Sequence, residues 1–215
     1  MPARPLRHFC IPASILFAAV LVNAALAAPS HRNIRVDATA QPDAARDLFS
    51  YEIISRPTSS PDRPEFDEAV RHIRTALSGC GFYEAPDGVA PDVAIEVECG
   101  ILLPRTETRT RSVPVHAMPT NGELLRNVPL TFVTEQYQVS VRLKYLMVTA
   151  RPRGSSDPLW RVQAAIDDDT PALTPCLPLL AAAVMNHIGY DTGGTRTMKL
   201  SYHDTDVAFI TQGLP

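Results

Sequence analysis

Residues 135–150 (EQYQVSVRLKYLMVTA) and 159–166 (LWRVQAAI), joined by RPRGSSDP at 151–158, decide the fold. Both segments are rich in β-branched and aromatic residues and alternate with a period of two, as a half-buried strand does. In the first, Tyr137, Val139, Val141, Leu143, Tyr145 and Met147 form the expected buried face, and Gln138, Ser140, Arg142 and Lys144 the wet one. In the second, Trp160, Val162, Ala164 and Ile166 point one way. The Gly/Pro/Ser-rich connector makes the pair an antiparallel hairpin with a long loop.

The same reading extends outward along the chain. Upstream, 92–101 alternates Val93, Ile95, Val97, Cys99 and Ile101 against Glu96 and Glu98, a further half-buried strand. Before it, 64–79 sets Phe66, Ala69, Val70, Ile73 and Leu77 on one helical face, with Pro64 at the first turn and Gly79 and Gly81 as stops. Leu48–Ile54 is a strand candidate, and 55–64 (SRPTSSPDRP) a linker. Downstream, Asp167-Asp168-Asp169 ends the second hairpin strand as a solvated loop. Thr174 and Pro175 then open a helix through 177–188 that is apolar nearly all round and so should be deeply covered. A strand around Thr197–Tyr202 and a strand or short helix around Val207–Thr211 complete the order. The expected fold is α+β: a single domain over 46–215, an antiparallel-rich sheet with two helices packed on one face.

The chain has 215 residues, of which 45% are hydrophobic and 20% charged, proportions of a globular protein rather than a disordered or multi-span chain. Its formal charge of −3 gives no basic footprint for nucleic acid. Residues 1–27 read as a secretory signal peptide. Arg4 and Arg7 precede the apolar Ile11–Val22 run, and Ala25-Leu26-Ala27 precedes a cut between Ala27 and Ala28. The run is short for a membrane span and is interrupted by Pro12 and Asn23, so no permanent span is expected after cleavage. No cysteine stands at the cut to take a lipid, and Cys10 lies too early. The expectation is a periplasmic or secreted bacterial protein. Residues 28–45 are expected as a loosely ordered arm with one short extended piece at Asn33–Val36.

EFDEAVRHIRTALSGCGFYEA followed by PDVAIEVECG, and YQVSVRLKYLMVTARPR…LWRVQAAI followed by LPLLAAAVMNHIGYDTG, resemble a family of bacterial envelope proteins carrying a domain of unknown function. Many members are lipoproteins. The resemblance covers about residues 45–210 and implies an α+β envelope domain, with no reaction attached to it. The missing lipid cysteine departs from the lipoprotein members.

After cleavage Cys80, Cys99 and Cys176 remain, and an oxidising compartment favours one bridge. A ten-residue strand carries Cys99 ~30 Å from its start. A down-up hairpin then brings Cys176 back to the Cys99 end, which ranks Cys99–Cys176 first and leaves Cys80 as a thiol. If 102–130 reverses the hairpin's direction, Cys80–Cys176 is preferred instead. Cys176 at a helix N-terminus could instead be a nucleophile. His187, however, lies about three turns further along the same helix, ~16 Å away. The three consecutive aspartates lack the glycine and spacing of a calcium loop. The histidines form no zinc spacing, and no nucleophile elbow, phosphate loop or dinucleotide fingerprint occurs. No cofactor, metal or catalytic residue is expected. The best ligand-side feature is Arg105, Arg109 and Arg111 in RTETRTR, with Arg126 beyond, since guanidinium forks suit phosphate or carboxylate. These residues lie in the long segment 102–130, which carries four prolines and could be a binding excursion or a charged edge strand. The expected function is non-enzymatic binding of another envelope component, whether an envelope protein, an anionic lipid or a glycan. The alternative is a binder of a small anionic ligand through 105–126, and a hydrolase is the least favoured.

Overall fold

A computed structural model describes residues 31–42, 44, 49–55, 64–115 and 131–213. The expected signal peptide over 1–27, the expected linker residues 56–63 and Arg126 lie outside them. The described strands are β1 (Arg32–Ala40), β2 (Ser50–Ser55), β3 (Tyr83–Glu84), β4 (Val93–Ile101), β5 (Arg105–Val115), β6 (Thr131–Pro152), β7 (Trp160–Asp168) and β8 (Arg196–Leu200). The helices are α1 (Pro64–Gly79), α2 (Leu177–Met185) and α3 (Thr205–Gln212), with a 3-10 turn at Thr174–Cys176 leading into α2.

The fold is α+β, and the sheet is mixed. Its order is β3-β2-β4-β6-β7-β1-β8, with β5 pairing β6 off that path. The antiparallel-rich expectation is corrected at β2, which runs parallel to both β3 and β4. Parallel neighbours need a crossover, and the 16-residue α1 supplies it. The expected loose arm is also corrected. Residues Arg32–Ala40 form a nine-residue strand between β7 and β8, with Ile34, Val36 and Ala38 essentially inaccessible. The sheet therefore begins before residue 46.

The core joins the expected faces of α1, β4 and β7 to α2, whose Leu177 and Leu179–Val184 are all buried. α2 packs on β6, β7 and β1, α1 on β4, and α3 on both other helices. Trp160 sits edge-on to Phe82, 6.2 Å between ring centroids.

The facing of β6 is the reverse of the expected one. Its register with β7 pairs Leu146 with Ala164, Val148 with Val162 and Ala150 with Trp160, so the even-numbered residues enter the core. Leu143 and Tyr145 are only half-buried, on the opposite face. Lys144, read as wet, is 0% exposed. The stretch YLMVTA is apolar on both faces, and only pairing with β7 chooses between them.

Candidate functional site

Three groupings concentrate the chemistry-bearing side chains. The first is internal. Facing the core from β6, Lys144 donates from Nζ to Asp168 Oδ2 at 2.5 Å and to Thr170 Oγ1 at 2.7 Å, and lies 3.5 Å from Cys176 Sγ. Asp168, the last residue of β7, is 4% exposed rather than solvated. It also accepts the Thr170 hydroxyl and amide, and Arg32 reaches its Oδ1 at 3.4 Å. Burial alone would raise its carboxyl. The hydrogen bonds from Lys144 and Thr170, and the charges of Lys144 and Arg32, outweigh that and hold it at about 2.

Cys176 enters this cluster from the turn before α2 and is 3% exposed. Burial raises its thiol above the ordinary value. A buried, protonated thiol is a poor nucleophile, so the arrangement is a structural clasp between β6, β7 and the entry to α2. No disulfide joins the described cysteines, which corrects the expected Cys99–Cys176 bridge. Cys99 pairs across the sheet with Leu146, while the Cys176 thiol is turned to Lys144 and Asp168. Cys80, beyond the end of α1, points its thiol to the Met185 carbonyl at 3.5 Å.

The second grouping lies on the face of the sheet opposite the buried residues of β1 and β7. There Arg35, Asp37, Arg105, Gln163 and Thr195 help line an open cleft of about 430 Å³. Arg105 bonds Glu107 at 2.8 Å and Asp167 at 3.0 Å, and Arg35 reaches Asp167 at 3.2 Å. Arg109 lies 3.5 Å from both Glu107 and Asp169, and Arg111 bonds Glu135 at 2.9 Å. Hydrogen bonds to Glu107 and then Asp167 raise Arg105, and the bond to Arg105 lowers Glu107. The structure thus brings Arg105, Arg109 and Arg111 onto one strand, each matched to carboxylates. Arg126 falls outside the described residues. Glu107 shares β5 with the arginines, but Asp167, Asp169 and Glu135 could not be read from spacing, because they reach the arginines only through the β5–β6 and β6–β7 registers.

The third grouping is the ribbon itself. β5 pairs with Thr131–Val141, the outer half of β6, from Arg105–Val141 to Val115–Thr131. Beyond Val141, β6 pairs β4 and β7, so the ribbon projects from the sheet edge. Its length is ~35 Å at strand rise. Among the described residues neither of its outer edges is paired. One face carries the arginines with Val133, Tyr137 and Val139. The other is uncharged along Thr106, Thr108, Thr110 and Ser112 and their partners Ser140, Gln138, Gln136 and Thr134. Phe132 is 61% exposed, Val133 51% and Tyr137 37%, with Arg111 over the Tyr137 ring at 5.4 Å. Near its root Leu102 and Leu103 are also exposed.

Among the described residues no helix is long and apolar enough to cross a membrane. Among them, too, no group of three or more His, Cys, Asp or Glu side chains is placed to hold a metal ion.

No family model and no curated protein matches this chain. Among solved structures it is similar to a PDZ domain protein from Parabacteroides distasonis. That match has a TM-score of 0.38 and 11% identity over 80% of this chain, and the chain spans only 40% of that protein. It is also similar to PelC from Paraburkholderia phytofirmans, solved as a dodecamer, with a TM-score of 0.38 and 9% identity, covering 73% of this chain and 98% of that one. Likeness at this level carries no argument about function.

Proposed function

We propose that this chain is an exported, non-enzymatic α+β domain that binds another component of the bacterial envelope, with the β5–β6 ribbon as its contact surface. In this reading the helices cover one face of the sheet, and the ribbon extends past them into solvent. The supporting observation is the ribbon's lack of cover among the described residues. A two-stranded ribbon is marginal in water by itself, and this one exposes Phe132, Val133 and Tyr137 along its length. Phe132 is exposed on one face of the ribbon and Val133 and Tyr137 on the other, and exposed apolar side chains on a projecting element suit a contact surface. Export is supported by the signal-peptide pattern of 1–27.

The alternative, a small anionic ligand held through the Arg-rich 105–126 stretch, draws on Arg105 at the open cleft, where Arg35 also stands. Glu107 and Asp167 already occupy their donors, which weakens it.

The test is fractionation of the native cell with a salt wash of the membrane pellet. The wild-type chain is expected to stay with the pellet. The triple variant Phe132→Ser, Val133→Thr, Tyr137→Ser is expected in the soluble periplasmic fraction. Equal soluble recovery of both chains would overturn the reading.

A further inference from the structure

The two outer edges of the ribbon are not equivalent. β5 carries three arginines and a glutamate within Arg105–Arg111, the dense charge with which proteins block edge pairing. The outer half of β6, Thr131–Val141, carries one charge, Glu135, among β-branched, aromatic and amide side chains suited to a strand interior. It has no proline and no glycine. On its other side β7 stops at Asp168, opposite Arg142, so the backbone of Thr131–Val141 is unpaired there among the described residues.

From this asymmetry we propose that the β6 edge pairs antiparallel with the β6 edge of a second copy of this chain, about a two-fold axis through Gln136. Val133 then opposes Val139 of the second copy, and Gln136 meets Gln136. Glu135 opposes Tyr137 of the second copy, and within each chain Arg111 already holds that chain's own Glu135 and Tyr137. No two like charges meet across the axis, and the apolar side chains of the charged face pack on one another. A self-complementary patch is what a two-fold interface requires. The β5 edge, with its arginines at close spacing, sets arginine near arginine in most self-pairings. The two globular bodies lie at opposite ends of the resulting four-stranded strap, ordered β5-β6-β6-β5. Nine opposed residues from Phe132 to Ser140 supply roughly nine intermolecular backbone hydrogen bonds. The pairing converts a marginal two-stranded ribbon into a four-stranded sheet.

This inference rests on the reading of the ribbon as the contact surface, and names its occupant. Directly opposed residues have Cα atoms ~4.5–5.5 Å apart, inside the ~4.4–6.8 Å range of disulfides. In the proposed dimer Gln136 meets its own copy. Thr110, its partner on β5, lies three strand spacings, ~14 Å, from its copy. In the purified exported protein carrying Cys80→Ser, Gln136→Cys is expected to form a covalent dimer rapidly under mild oxidation, and Thr110→Cys is not. Sedimentation of the otherwise unaltered chain is expected to give a concentration-dependent dimer. Gln136→Lys, which opposes two ammonium groups, should raise its dissociation constant at least tenfold. A chain that stays monomeric to 100 μM, or Thr110→Cys cross-linking as fast as Gln136→Cys, would overturn the proposal. Purified protein reads the self-pairing and cell fractionation reads envelope retention. A monomer still retained by its ribbon therefore refutes only the dimer, and a dimer recovered as soluble protein refutes only the envelope contact.

Discussion

Removing the Lys144 ammonium should cost this protein more than any surface change, and should invert its response to acid. In the native chain Asp168 is held at about 2, against ~3.9 for an unfolded aspartate. Its folded value is the lower one, so its contribution is fully present above pH ~4 and fades as pH falls toward ~2. Two pH units correspond to ~2–3 kcal/mol at neutral pH. Lys144→Met keeps the bulk of the side chain but leaves the carboxylate 4% exposed, with Thr170, the Cys176 thiol and the more distant Arg32 as its remaining partners. Breaking a buried pair from one side costs ~3–5 kcal/mol, and the remaining partners should keep the loss near ~3 kcal/mol. With a urea slope of ~2 kcal/mol/M for a chain of this size, the midpoint at pH 7 should drop by ~1.5 M. Without its cation Asp168 should protonate more readily, so the variant's deficit should shrink between pH 7 and pH 4. The double variant Lys144→Met, Asp168→Leu should recover most of the loss, because the uncompensated charge is gone. Urea titrations of the three proteins at pH 7 and pH 4 measure all of this. A Lys144→Met midpoint within 0.3 M of wild type at pH 7, or a double variant no better than the single, would refute the clasp.

Mass spectrometry of the exported protein should find Ala28 as its first residue, and an intact Met1 terminus would remove the basis for export. Thiol titration of that protein, denatured and unreduced, should count Cys80, Cys99 and Cys176 all as thiols. Native protein should lose the exposed Cys80 first and the buried Cys176 last, and a denatured count of one would restore the bridge. Replacing Arg105, Arg109 and Arg111 together by Ala should leave the urea midpoint nearly unchanged, since exposed ion pairs contribute little. It should also leave envelope retention intact, and loss of retention would overturn the apolar side chains as the basis of the contact.

What the sequence made legible was whatever a single segment decides. α1 spans the expected 64–79, because its amphipathic stripe, Pro64 and terminal glycines agree with one another. β4 and the core face of β7 follow from clean alternation. Errors came where two segments must meet. The alternation Ile34, Val36, Ala38 was present in β1, but small and charged neighbours made it look like a loose arm. The parallel pairing of β2 was implied by a helix between two strands and hidden by the proline-rich linker. Lys144 and Asp168 were each read alone as polar and therefore wet. Only the pairing of Arg142 with Asp168 and Lys144 with Ile166 shows that they share the inside. Arg105, Arg109 and Arg111 lie on one strand, and of their acids only Glu107 shares it; Glu135, Asp167 and Asp169 come from β6 and from the end of β7 and just beyond it, outside the reach of spacing along one strand.

β6 runs unbroken for 22 residues, ~70 Å of one backbone, and crosses from the interior to open solvent at Val141. Local opening free energy must therefore change steeply along a single covalent strand. Amides between Leu146 and Ala150 should exchange with deuterium only on global unfolding, and those between Phe132 and Ser140 through local fraying. The outer half can then melt and re-form while the inner half holds the domain together. Whatever pairs with the ribbon works against that small local fraying energy rather than against the stability of the whole fold.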